Sequence, residues 1–172
     1  MQDFISEFKQ LFWSKLNNNK YNKIVFLCVG TDRVIGDCFG PLVGEKLKSL
    51  IGKKKEIEII GDLEKTIGIN NIEKVIKTIN HEFDNPFIIS IDAALDKKEL
   101  VGKIVVSEQG LKAGSGLNKN SFEIGEMSVK GIVSYNTGMS KQNFILLQNT
   151  SLGLVNEMAS LTADGIYRAI NV

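Results

Sequence analysis

Cysteine, proline and histidine are scarce in this 172-residue chain, with two, two and one of each. Two thiols, Cys28 and Cys38, do not make the disulfide framework of a small secreted scaffold. Cys28 lies inside an apolar run, which suits a packed, reduced thiol and a reducing compartment. A lone imidazole, His81, and the absence of a CxxC pair exclude the usual zinc arrangements. Net charge is nearly absent as well, at +1, so no long-range field draws the chain to nucleic acid or to an anionic membrane. Long hydrophobic runs are missing. Residues 24–29 form one of the longest, far short of the roughly 20 residues of a spanning helix. The opening MQDFISEFKQ has none of the basic-then-apolar order of a secretion signal. The expected location is the cytoplasm. No Pro/Ser/Gly linker and no repeat divides the chain, so a single α/β domain over residues 1–172 is expected, with residues 1–22 as an N-terminal helix and connector.

What is present is a core-forming composition, 43 % apolar and 24 % charged, in the globular range. Phe4, Phe8, Leu11 and Phe12 recur at helical spacing and predict a helix over residues 3–16, ended by Asn17, Asn18 and Asn19. The apolar run KIVFLCVG from Lys23 reads as a strand buried on both faces. GPLVGEKLKSLI from Gly40 reads as a helix with Pro41 in its first turn. A strand near Glu56, a helix from Asn71 with Ile72, Val75, Ile76 and Ile79 on one side, and a strand PFIISIDA from Pro86 follow. Strand–helix–strand–helix–strand predicts a three-layer α/β fold, a mainly parallel or mixed sheet with helices on both faces. Two more strands, near Gly102 and Met127, a glycine-rich loop over residues 110–120, and helices from Asn143 and Leu152 complete the chain.

Ligands of an open parallel sheet bind beyond the carboxyl ends of its strands. Asp32 and Asp37 follow the first strand, Asp62 and Glu64 the second, and Asp92 ends the third. Asp37 sits among Gly36, Gly40 and Pro41, where it serves either as a working acid or as a helix cap. Asp92 directly follows a buried strand, where desolvation raises a carboxyl pKa; a hydrogen-bonded turn acid is the alternative. His81 falls late in the second helix, away from the carboxyl edge that a triad or dyad would need. The loop from Gly30 lacks both GxGxxG and the Walker lysine, and its acids repel phosphate. Gly114, Ser115 and Gly116 offer backbone N–H groups for a substrate carbonyl or form a plain surface turn.

Several segments then fall into a familiar order: GTDRVIGDCFGPLVG from Gly30, IDAALD from Ile91, KAGSGLNKN from Lys112, GEMSVKGIVSYN from Gly125 and QNTSLGLVNEMA from Gln148. Together they resemble the YyaC-type sporulation proteins, which are similar to the germination protease that cleaves small acid-soluble spore proteins. The resemblance implies a phosphorylase/hydrolase-like fold shared with the hydrogenase maturation proteases. It also implies that Asp37 and Asp92 are the catalytic acids, with Asp32, Gly114, Ser115 and Gly116 on the substrate side. The expected function is a spore-protease-like endopeptidase of sporulation or germination, with Asp92 as base and Asp37 as acid. The expected partner is a protein or peptide, small acid-soluble spore proteins among the candidates, and the site would lie in the forespore or spore core. A homo-oligomer is compatible with this. No cofactor, metal, nucleic acid or membrane is expected. Two alternatives stand beside it: a catalytically silent sporulation protein holding a peptide or partner in the same cleft, and a metal-dependent protease of the hydrogenase-maturation type. The last would use Asp37 and Asp92 with a third ligand that His81, preceding the Asp-Ala strand, does not supply.

Overall fold

The computed structural model describes residues 2–113 and 122–171. Helix α1 (Gln2–Asn18) leads into strand β1 (Lys23–Cys28), helix α2 (Phe39–Ile51), strand β2 (Ile57–Ile60), helix α3 (Ile72–Glu82) and strand β3 (Pro86–Asp96). Strands β4 (Ile104–Ser107), β5 (Leu111–Ala113), β6 (Phe122–Ile124) and β7 (Met127–Tyr135) follow, then helices α4 (Ser140–Gln148) and α5 (Leu152–Ile170). The main sheet has five strands in the order β2-β1-β3-β7-β4. β1, β2, β3 and β7 run parallel, and β4 pairs antiparallel with β7 at one edge.

The continuous apolar runs of β1 and β3 exist because both faces of these strands are covered. Phe26, Cys28, Ile89 and Ile91 enter one core with Phe8 and Phe12 of α1, Leu47 of α2, and Met158 and Ile166 of α5. Val25, Leu27 and Ile88 face the opposite way, onto Ile72 and Ile79 of α3 and Ile124 of β6. This is the mixed sheet with helices on both faces that the hydrophobic pattern predicts.

Four local expectations are corrected. β3 does not end at Asp92; it continues to Asp96 because β7 runs beside it as far as Tyr135. The segment expected as a plain loop over residues 110–120 begins with β5, which forms a small antiparallel ladder with β6. Helix α4 starts at Ser140 rather than Asn143. Asn17 and Asn18 complete the last turn of α1 rather than breaking it.

Candidate functional site

The loop after β1 is shaped by Gly30, whose φ of +137° places it where a side chain would strike the backbone oxygen of Asp37. The chain therefore folds back on itself. Thr31 N–H donates to the Asp37 backbone oxygen at 3.1 Å, and Asp37 N–H donates to Val34 oxygen at 2.9 Å. A short 3-10 turn (Ile35–Cys38) then passes directly into α2. At Gly40 the absence of a side chain lets the start of α2 press against the carbonyls of Val29 and Ile91. Asp37 is thus delivered to the carboxyl edge of the sheet. It is not a helix cap: Val34 and Cys38 hold the cap positions of the turn and of α2, and neither start has a side-chain cap.

Asp92 reaches the same place from β3. Alternation along the strand turns Ser90 and Asp92 toward the α3 face, while Ile91 and Ala93 join the core on the other side. Its register partner across the parallel ladder is Lys130 of β7. The Ala93 N–H donates to Asp92 Oδ1 at 2.8 Å.

Both aspartates line one cleft of about 720 Å³, together with Thr31, Asp32, Arg33 and Glu64. Asp32 is exposed on its rim. Burial lifts the Asp37 carboxyl to about 6, the Thr31 backbone amide pulling the other way. Burial, and then the nearby Asp37 carboxylate, lift Asp92 to about 8 against the Ala93 amide and the Lys130 ammonium. Gly114, Ser115 and Gly116 lie outside the described residues. Asp62, placed by the sequence in the same layer, turns away. It is 7 % exposed, pairs with Lys48 and accepts the N–H groups of Glu64 and Lys65 at 2.9 and 2.6 Å. It therefore fixes the wall on which Glu64 sits.

Lys130 was not singled out from the sequence. It borders a second, smaller cavity of about 320 Å³ with Ala93, Ala94 and Lys112. The signal was available: Lys130 is the only charged residue in MSVKGIVSY, and it shares the parity of Ser128, opposite to the core residues Met127 and Val129. His81 is exposed near the end of α3. Asn71, just before that helix, lines the cleft, so the ten-residue step from Asn71 carries His81 roughly 15 Å away along the helix axis. Among the described residues no three His, Cys, Asp or Glu side chains gather into a metal-binding group.

Residues 2–165 match the family model described as "Protein of unknown function (DUF1256)". The chain belongs to this DUF1256 family. It is 36 % identical over 153 residues to the uncharacterized protein YyaC of Bacillus subtilis, a match covering 89 % of this chain and 72 % of YyaC. Among solved structures, the DUF1256 chain resembles the NiFe hydrogenase maturation protease HycI from Thermococcus kodakarensis with a TM-score of 0.60 and 17 % identity, covering 95 % of this chain and 98 % of that one. The hydrogenase maturating endopeptidase HybD from E. coli matches at a TM-score of 0.44 and 14 % identity, over 86 % and 91 % of the two chains. The HycI likeness shows that the DUF1256 chain has a protease-like fold.

Proposed function

We propose that this chain is an endopeptidase of atypical aspartic type, acting in sporulation or germination on a protein substrate such as the small acid-soluble spore proteins. The observation that carries the proposal is the meeting of Asp37 and Asp92 in one cleft at the carboxyl ends of β1 and β3, each held above the ordinary carboxyl range. Two neighbouring carboxyls do not ionise together easily. Between about pH 6 and pH 8 the pair holds one proton.

We assign that proton to Asp92, the opposite of the order expected from the sequence. Burial and the charge of Asp37 both act to raise Asp92, which supports Asp92 as the protonated member and Asp37 as the ionised one. In the proposed cycle Asp37 takes a proton from a water as the water oxygen bonds to the scissile carbonyl carbon. Asp92 gives its proton to the amide nitrogen as the C–N bond breaks. The products are a carboxyl and an amine, and the proton taken by Asp37 passes back to Asp92 before the next turnover.

Nickel-dependent recognition fits less well. The donors facing the cleft are carboxylates, the imidazole of His81 is at the far end of α3, and nickel sites of this kind favour a nitrogen donor. Incubation of the purified protein with small acid-soluble spore proteins, read by mass spectrometry, tests the proposal. Discrete, reproducible cleavage is expected. Intact proteins that nevertheless bind in the cleft would favour the silent binding role, and activity appearing only with added nickel would favour the metal-dependent alternative.

A further inference from the structure

Helix α4 is apolar on both of its sides. Residues three and four apart share a helix face, so Asn143, Leu146 and Leu147 lie together, all half-buried. This inner side packs on the 3-10 turn that carries Asp37: a side chain at Gly36 would strike Leu147. The opposite side holds Lys141, Phe144, Ile145 and Gln148, all exposed. A surface helix ordinarily turns polar residues to water on that side. Here Phe144 and Ile145 stand 51 % and 55 % exposed at its centre. The pattern of α4 is that of a helix covered on two sides, and the chain itself covers one.

The flanking chain has the same character. Tyr135, Met139 and Leu152, just before and after α4, are exposed as well. Charge is nearly missing: from Tyr135 to Asn156 only Lys141 is charged, in a chain where charged residues make up 24 %. The exposed polar groups that stand in place of charges include the amides Gln142, Gln148 and Asn149. This composition decides the occupant. An anionic membrane calls for several Lys and Arg beside the apolar side chains, and Lys141 stands alone. A partner recognised by charge calls for a field of one sign. Two copies of one neutral face meet without repulsion, whereas a charge near a two-fold axis always faces its own sign. An amide offers both donors and an acceptor, so identical amides satisfy each other. Aromatic and methionine side chains with few charges are also what the buried centre of an interface holds.

We propose that the outer side of α4 pairs with the same side of a second copy of this chain around a two-fold axis, with Phe144 and Ile145 at the centre of the contact. The inference is independent of the peptidase reading. No residue of α4 lines the aspartate cleft, so the pairing uses none of the cleft residues. It does cover the helix whose inner side backs the turn carrying Asp37.

Mass in solution tests this on the full chain, by sedimentation and light scattering at about 10 to 100 μM, a range suited to a modest interface. The expected mass is twice the 19.0 kDa of one chain. Ile145→Lys and Ile145→Glu should each weaken association by about tenfold or more, as changes at the centre of an interface do. Melting curves establish that each variant folds, and Phe144→Ser takes the place of one that does not. Leu50→Lys alters an exposed apolar side chain on α2 and should leave the mass doubled. Mixing the two Ile145 variants should restore a pair, because Lys and Glu then face each other across the axis while each variant alone repels itself. The proposal is overturned by a single-copy mass across the whole range, by a doubled mass that survives the Ile145 changes, by an equal loss in Leu50→Lys, or by a mixture of folded Ile145 variants that stays single. A single-copy mass together with binding to vesicles of phosphatidylglycerol and phosphatidylcholine would overturn it in favour of a membrane-facing helix.

Discussion

At Asp92 two effects act in the same direction, removal from water and the presence of a second carboxyl, and together they outweigh the Ala93 N–H and the Lys130 ammonium. A group in that position is sensitive to small chemical changes. Asp37→Asn and Asp92→Asn are each expected to lower peptide cleavage by about a hundredfold to ten-thousandfold, the usual worth of an acid–base side chain. Asp37 makes no cap bond, so at pH 4, where its raised carboxyl is protonated in the folded state, Asp37→Asn should leave the melting temperature near that of the parent. Cleavage rate and melting temperature measured on the same preparations check both halves. The raised carboxyls also set the direction of a pH effect on stability. Asp37 and Asp92 hold protons in the folded state, at about 6 and about 8, that the unfolded chain loses near pH 4. The folded state therefore binds more protons through that window, and stability falls as pH rises from about 4 to about 8. Asparagine at position 92 keeps an oxygen for the Ala93 N–H and cannot ionise. Asp92→Asn should melt a few degrees above the parent at pH 8 and close to it at pH 4. Thermal scans at the two pH values decide this, and an equal shift at both would remove the ionisation argument.

Among the elements, the segment between β2 and α3 depends on a buried acid. Asp62 joins Lys48 of α2 to two backbone N–H groups of its own loop, and these contacts hold its carboxyl below the ordinary range. Asp62→Ala leaves both amides without that acceptor and should cost about 2 kcal/mol. The loss should show in thermal unfolding above the usual carboxylate range and shrink as acid protonates the parent. The strand–helix order is legible in the sequence because a strand covered on both faces and a helix with one apolar side have different periods, as KIVFLCVG and Ile72, Val75, Ile76, Ile79 illustrate. What escapes is set by pairing between distant segments. Nothing local in IDAALD says that the strand continues to Asp96; that depends on β7 lying alongside. The β5–β6 ladder escapes for the same reason: its short strands gain order by anchoring to the sheet, where Ser90 Oγ accepts the Leu111 N–H at 3.1 Å and Ser128 Oγ donates to Gln109 oxygen at 2.8 Å. The two aspartates are legible as carboxyl-edge residues. Which of them keeps the proton is not, because it depends on burial that only the assembled sheet creates.

Across the molecule the two sides of the sheet are unequal. Three helices, α1, α2 and α5, build the larger core, with Phe8, Phe12, Phe26, Phe39 and Phe87 fully enclosed. One helix, α3, and the small β5–β6 ladder cover the other side, and Asp92 projects from that thinner face. The heavier side carries the side-chain hydrogen bond of longest reach among the described residues. Trp13 Nε1–H of α1 donates to Ala169 oxygen of α5 at 3.1 Å, across 156 positions of chain. Trp13 is the only tryptophan, so its emission reports this one junction without labelling. Closing so large a loop has a high entropic cost that only an assembled sheet can offset. In stopped-flow refolding the Trp13 signal should therefore lag the recovery of far-ultraviolet ellipticity, and simultaneous recovery would mean that α1 docks as the sheet forms. The indole is in effect a clock for the last step of assembly, built into the chain where α1 meets α5.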